Sequence, residues 1–286
     1  MFKSLKRKSR SEKIVFLSVS CIFLVVALSY LFILVWAFVS GTKTHSEIVM
    51  DPFGLPANWN FKNYLEVWER LEVNGNGFVQ MLLNSIWFSV VGAGLTQLCS
   101  ATFAYCVCKY TFPGSKWIYT AFIIILTMPL YGSGGAQYVL YHKLGLVDNY
   151  LQILTAYSAL NIYTMYYMAY FKNTSNAYSE AARIDGAQDF QIYFKIMLPQ
   201  AKPILFAQFL TQWIGVWNSY ESALVYLPNT PTLPVGIYQF NQEMIYQARL
   251  DILFAACIIT VLPALILYIG FNKTITTSVT LGGLKG

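Results

Sequence analysis

Between residues 180 and 199 the chain reads EAARIDGAQDFQIYFKIMLP, a polar stretch between two long apolar runs. Glu180, Ala181, Ala182, Gly186, Ile196, Leu198 and Pro199 have the spacing E-A-A-x3-G-x9-I-x-L-P, and Glu180, Arg183, Asp185 and Asp189 bring four charges within ten positions. Such residues make contacts rather than bonds. Alanines favour helix and let a partner approach closely. A glycine at 186 permits a chain reversal that a Cβ would oppose. Phe190, Tyr193, Phe194 and Met197 recur at helical spacing, suited to packing on a partner or on helix ends, while Pro199 and Pro203 punctuate the return into the next apolar run. Glu180 is the residue best suited to a polar contact with a partner; Arg183 and Asp185 suit helix caps or exposed ion pairs.

Side chains for bond-making chemistry are scarce. Histidine is limited to His45 and His142, and the pair Cys106-x-Cys108 is too close for ordinary zinc-ligand spacing with no histidine near it in sequence. All five cysteines lie in or beside apolar runs, which favours buried thiols over a disulfide framework. The phosphate-binding pattern G-x4-G-K-[ST] does not occur, so the sequence carries no phosphate-binding loop of that type. Within the apolar runs, polar groups are costly and become candidates by default. Glu221 is the one acid well inside such a run, with Asn218, Gln212 and Gln208 on the same run. On a continuous helix Asn218 and Glu221, three apart, share a face. That face meets a solute or an outer gate; alternatively, Glu221 sits hydrated at the outer interface. Of the 21 tyrosines, most suit interfacial anchoring, but Tyr131, Tyr138, Tyr141, Tyr157 and Tyr163 could offer an apolar face with a polar tip.

The elements that must position these residues are apolar. The 286-residue chain is 56% hydrophobic and only 11% charged, with a mean hydropathy of +0.49, against about 25% charged for a soluble domain. Six uncharged or nearly uncharged stretches, roughly 14–40, 81–108, 117–139, 149–171, 203–227 and 252–271, reach the roughly 20 residues a membrane helix needs. The third weakens at Pro129 and the Gly132–Gly135 run, where a break or bend is expected. The first is too long for the apolar part of a cleaved leader, about 7–15 residues. With the N-terminus inside, the inner segments hold 14 of the 19 basic residues, six of them in the first 13 positions, while eight of the 13 acids fall outside. The positive-inside rule then places both termini and the 180–199 segment in the cytoplasm. The net charge of +6 is therefore a topology signal and not one for nucleic acid. The expected layout is a basic N-terminus (1–13), a first span with an outer loop (14–80), a core of five spans (81–271) containing the polar loop 172–202, and a tail (272–286). The outer loop carries an amphipathic stretch, WNFKNYLEVWERLEV, suited to a short surface helix.

The 180–199 pattern resembles the cytoplasmic signature of ATP-binding-cassette (ABC) importer permeases. Over nearly its whole length the chain resembles the carbohydrate-importer permeases of the MalG type. The further motifs are Phe61-x-Asn63-Tyr64, Asn84-Ser85, Ala104-Tyr105, Tyr110-x-Phe112-x-Gly114, Leu144-Gly145-Leu146 with Asn149-Tyr150, Trp217-Asn218, Leu233-Pro234-Val235-Gly236 and the ending Thr280–Gly286. Three departures stand out: Ser175–Ser179 lacks the proline that often precedes the signature, Ser278 occupies a common glycine position, and the stretch after Met128-Pro129 is unusually rich in glycine. The resemblance implies an all-α polytopic membrane protein of the type I importer fold, with six transmembrane helices and both termini cytoplasmic, in the bacterial cell membrane. It implies that Glu180, Ala181, Ala182, Asp185, Gly186, Ile196, Leu198 and Pro199 dock on a separate ATPase dimer. That dimer would use ATP and Mg, and this chain would bind no cofactor or metal itself. Further partners would be a second homologous permease, an external solute-binding protein and a sugar. Trp217, Asn218, Glu221 and Tyr131 would border the path, and Leu233, Pro234, Val235 and Gly236 would meet the binding protein. Other possibilities are an ABC permease for a peptide or anion, which for an anion calls for a basic path lining, and a secondary transporter or membrane enzyme, which calls for charged relay residues at mid-span.

Overall fold

The computed structural model describes residues 10–110, 112–128, 134–153 and 159–283, with side chains from 11 to 270 apart from 267. Its elements are α1 (Arg10–Ser40), α2 (His45–Met50), α3 (Lys62–Arg70), β1 (Glu72–Val73), β2 (Asn76–Gly77), α4 (Phe78–Lys109), α5 (Ser115–Thr127), α6 (Gly134–Lys143), α7 (Ile162–Asn173), α8 (Ala177–Ile184), α9 (Asp189–Ile192), a π-helical turn (Tyr193–Met197), a single turn (Leu198–Gln200), α10 (Lys202–Asn218), α11 (Glu221–Tyr226), α12 (Leu233–Tyr246) and α13 (Leu250–Gly283). Three stretches, Ser11–Ser40, Phe78–Lys109 and Leu250–Gly270, are single helices long and apolar enough to cross a membrane. The other three expected spans are divided or shorter. The third is split into α5 and α6, with Pro129 itself outside the described residues; the fourth contributes α7; the fifth breaks between α10 and α11.

The chain forms two compact units, one made of residues up to Leu71 with Gln239–Leu262, the other of Glu72–Tyr238 with the chain from Pro263. In the first, α1 is apolar around its whole circumference and leaves that surface exposed, as expected of a helix solvated by lipid. Its exit is fixed by the two residues of the Asn63-Tyr64 motif. The Asn63 amide donates to the carbonyls of Gly41 and Lys43 at 3.0 and 2.9 Å, and the Tyr64 hydroxyl donates to Phe38 O at 2.9 Å. Only glycine fits at 41, because a Cβ there would lie 2.8 Å from the Tyr64 hydroxyl and 3.0 Å from Ala255 Cα. The amphipathic stretch of the outer loop forms α3 as expected and buries Asn63 and Val67. Its Glu66 pairs with Arg70 at 2.7 Å and Arg249 at 3.1 Å, and Arg249 also holds the buried Asp251 at 3.0 Å.

The second unit opens with a two-residue hairpin. Asn74 and Gly75 both take positive φ (51° and 81°), the requirement of a type I′ turn, which Asn-Gly meets with little strain. Helix α4 then packs against α7 and α10 through small and polar residues, among them Ser89, Ala93, Thr96, Ser100, Ala101 and Ala104. Such residues let helix backbones approach where lipid offers no hydrophobic drive. Its polar side chains are matched: the Tyr167 hydroxyl donates to Gln97 Oε1 at 2.7 Å, Gln97 Nε2 donates to Gln208 O at 3.3 Å, and Asn161 Nδ2 donates to Ser100 Oγ at 2.9 Å.

Candidate functional site

After α7 the chain runs through a helix–turn–helix that carries the E-A-A-x3-G pattern. Helix α8 ends in a Schellman cap. The Ala187 N–H donates to Ala182 O at 2.9 Å and the Gly186 N–H to Arg183 O at 3.0 Å, with Gly186 at φ +83°. Glycine is therefore the C′ residue of this cap, and Asp185 is the C-cap. Gln188 and Gln191 form a capping box that starts α9. Arg183 spans the turn to Asp189 at 2.9 Å, and this hydrogen bond raises the guanidinium pKa further. A π-helical turn, a form frequent at functional sites, follows at Tyr193–Met197, and Pro199 sits where its missing N–H costs nothing, at the start of the next turn.

One face of this segment is sewn into the bundle. Ala182, Ile192, Tyr193, Met197 and Ala201 share a core with Ala104, Tyr105, Phe122, Tyr167 and Phe171, and Ile196 and Leu198 pack at its edge. The Tyr105 ring lies 4.8 Å from that of Tyr193 and 5.3 Å from that of Phe171. Thr102 and Tyr193 share a hydroxyl hydrogen bond of 2.8 Å, and burial raises the Tyr193 pKa. Lys109, at the end of α4, donates to Thr174 O at 2.6 Å and Asn176 Oδ1 at 2.7 Å. A cavity of about 60 Å³ lies between these groups, lined by Tyr105, Lys109, Tyr110, Asn176, Ser179, Glu180 and Arg183; burial raises the Tyr110 pKa.

The other face is free. Ile184 is 87% exposed and Phe190 71%, and Phe190 packs at a tilt against the exposed Phe194, 4.4 Å between centroids. Glu180, Ala181 and Asp185 lie on the exposed side too, whereas Ala182 is inside. Of the four large side chains suited to a partner or to helix ends, Tyr193 and Met197 pack inside the bundle while Phe190 and Phe194 project, on either side of the register shift that the π-helical turn introduces after Ile192. Lys109 and Tyr105, which tie the segment down, lie 65 residues or more from these partners in sequence; Tyr105 belongs to the Ala104-Tyr105 motif, whereas no motif marked Lys109.

At the opposite end, two expectations change. Asn218 and Glu221 do not share a helix face, because α10 ends at Asn218, Ser219 is extended (ψ 117°) and Glu221 opens α11. Asn218 Nδ2 donates to Ile214 O within its own helix at 2.8 Å, Glu221 is exposed, and Trp217 is buried against Trp213 at 5.2 Å. Tyr131 lies outside the described residues, as does Tyr157. Leu233, Pro234, Val235 and Gly236 are not a projecting loop but the first turn of α12, with Leu233, Val235 and Gly236 buried. The exposed feature is the preceding tip at Pro228 and Asn229. It is held by Asn74 Nδ2 on Pro228 O (2.9 Å), Asn76 Nδ2 on Asn229 O (3.1 Å) and Asn84 Nδ2 on Pro231 O (3.0 Å). The Asn229 N–H donates to Asp148 Oδ1 at 3.0 Å, and the Leu233 N–H to Ser85 Oγ at 2.6 Å. The Asn84-Ser85 motif therefore fastens this tip.

Known proteins resemble this chain in sequence and in overall fold. The family model for the binding-protein-dependent transport system inner membrane component matches residues 2–280. The chain is 29% identical to the diacetylchitobiose uptake system permease protein NgcG of Streptomyces coelicolor, over 88% of this chain and 83% of that one. It is 32% identical to the arabinooligosaccharides transport system permease protein AraQ of Halalkalibacterium halodurans, over 71% of this chain and 73% of that one. A crystal structure of a bacterial ABC transporter involved in the import of the acidic polysaccharide alginate contains a chain that superposes with a TM-score of 0.72 at 25% identity, covering 93% of this chain and 98% of its own. With nearly the whole length matched, the chain belongs to the inner membrane permease components of binding-protein-dependent ABC transport systems.

Proposed function

We propose that this chain is one of two permease subunits of an ATP-driven oligosaccharide importer, and that α8, α9 and the π-helical turn are its docking element for the ATPase dimer. The observation that carries the reading is the division of this segment into an anchored face and an exposed apolar face. Ile184, Phe190 and Phe194 offer unpartnered apolar surface, with Glu180 and Asp185 at its margin for polar contacts. Because Tyr105, Tyr193 and Met197 join the segment to α4 and α7, a push on the exposed face moves those helices as one body. ATP and Mg belong to the partner ATPase, and this chain contributes no catalytic group. Opposed rocking of two such permeases gives alternating access between them.

The cargo reading rests on the relatives, named for diacetylchitobiose and arabinooligosaccharides. Trp217, Asn218, Glu221 and Tyr131 are the path candidates, and the Pro228–Asn229 tip, ahead of Leu233–Gly236, is the surface for the solute-binding protein. A peptide or anion permease and a secondary transporter are not favoured by those relatives. The test is co-purification of the ATPase with Ile184→Asp/Phe190→Asp. Loss of the ATPase, with the two permeases still paired, is expected; full retention with normal coupled ATP hydrolysis refutes the docking role. Uptake of labelled oligosaccharides by Glu221→Gln and Asn218→Ala tests the path, and unchanged rate and affinity at normal expression remove both residues from it.

A further inference from the structure

A second basic site lies on the same side of the bundle as the docking segment but at the level where the apolar helices begin. The end of α4 (Val107, Cys108), the first turns of α5 (Ser115, Lys116, Tyr119, Thr120) and the end of α7 (Lys172) enclose an open cleft of about 370 Å³. The Lys172 ammonium stands 4.7 Å above the Tyr119 ring. No carboxylate lines the cleft, and among the described residues neither Lys116 nor Lys172 forms an ion pair. Two cations thus converge on one open volume with hydroxyls beside them and no counter-charge. Next to it, Trp117 is 80% exposed and Ile118, Ile124 and Ile125 project from α5. An aromatic beside exposed aliphatic side chains marks the junction of headgroups and acyl chains. The positive-inside count places that junction in the cytoplasmic leaflet, where anionic lipid is met.

We infer that this cleft binds the headgroup of an anionic phospholipid, with Lys116 and Lys172 on the phosphate and the acyl chains lying along α5. Charge complementarity selects the lipid, and the apolar flank separates it from a free anion, which would gain nothing from Trp117, Ile124 and Ile125. The inference needs only the bilayer and is independent of the cargo.

The test uses the assembled transporter, purified in nanodiscs of phosphatidylcholine with phosphatidylglycerol or cardiolipin, with retained lipid counted by native mass spectrometry after transfer to detergent. At about 1 kcal/mol per lysine near an anionic surface, Lys116→Gln and Lys172→Gln each weaken retention about fivefold and together about twenty-five-fold. Lys116→Arg/Lys172→Arg retains lipid, which separates charge from a folding defect, and Lys202→Gln, outside the cleft, changes nothing. Equal retention of phosphatidylcholine, an unchanged lipid count in the double glutamine variant, or displacement of the lipid by inorganic phosphate at matched concentration overturns the proposal. So does a cross-link from Lys172→Cys to the partner permease in place of lipid.

Discussion

Replacing Gly186 isolates what the turn between α8 and α9 contributes to the proposed docking. The residue sits at φ +83° with no heavy atom within 4 Å of an added Cβ, so a substitution meets backbone strain and not a steric neighbour. For an L-residue the left-handed region costs roughly 1–2 kcal/mol, partly offset for alanine by about 0.4–1 kcal/mol from a stiffer unfolded chain. Valine, branched at Cβ, feels the strain in full, and asparagine tolerates the conformation. The cap hydrogen bonds of Gly186 and Ala187 report the effect directly through amide exchange. Opening should rise about 5- to 30-fold in Gly186→Val, the Boltzmann factors of 1–2 kcal/mol, less in Gly186→Ala, and little in Gly186→Asn. Transport-coupled ATP hydrolysis should fall in the same order while the permease pair stays assembled. If valine and asparagine behave alike in exchange and in coupling, the left-handed cap is not what shapes this segment.

Three other perturbations follow from the contacts. Tyr167→Phe strips Gln97 Oε1 of its donor inside the membrane; double-mutant cycles in lipid put such bonds at about 0.6–1.7 kcal/mol, so the melting temperature in nanodiscs should fall modestly, and no change would show that water or another donor replaces the hydroxyl. Glu66→Gln removes the negative charge common to Arg70 and Arg249 and leaves a single acceptor oxygen; being partly exposed, the network contributes about 1 kcal/mol, and the stability difference from wild type should shrink between 50 and 500 mM salt, on the order of a three-fold drop in Debye length. Asp148→Ala releases the Asn229 side of the outer tip; exchange over 227–232 should quicken and affinity for the loaded binding protein should fall, whereas unchanged exchange would mean that Asn74, Asn76 and Asn84 suffice.

The parts legible in the sequence are those that local rules govern. The apolar spans within α1, α4 and the first part of α13 follow from uncharged runs, because a bilayer requires about 20 apolar residues whatever surrounds them, whereas the continuation of α13 to Gly283 was not expected. The cap at Gly186 follows from a glycine behind two alanines, and α3 from an amphipathic period. The parts that failed depend on neighbours. Asn218 and Glu221 read as one helix face because nothing in W-N-S-Y-E-S forbids helix; the extended Ser219 ends it. Leu233–Gly236 entered through the resemblance as an outer contact surface, yet they form the largely buried first turn of α12, where proline is at home. The polar face of α4 was not flagged either. Ser89, Thr96, Gln97 and Ser100 fall within a run whose average is apolar, and only the partners on α7 and α10 show why they are there.

The segment from α8 to the π-helical turn illustrates how these two kinds of rule cooperate. Its local chemistry, the cap at Gly186 and the box at Gln188–Gln191, sets the angle between α8 and α9 without help from the bundle. Its long-range chemistry, the Tyr105–Tyr193 contact and Lys109 on Thr174 and Asn176, sets where that angle is held. A perturbation of the first kind should alter coupling while leaving the bundle's stability nearly intact, since the strained turn is solvent-exposed. A perturbation of the second, such as Tyr105→Ala, deletes a buried ring from the shared core and should lower both together, by roughly 3–5 kcal/mol if the cavity does not collapse, the range for aromatic-to-alanine changes. Comparing Gly186→Val with Tyr105→Ala in one thermal-melt and coupled-hydrolysis experiment therefore separates shape from anchorage. If Tyr105→Ala melts as wild type yet uncouples, the ring acts on the ATPase side and not as the anchor its contacts describe.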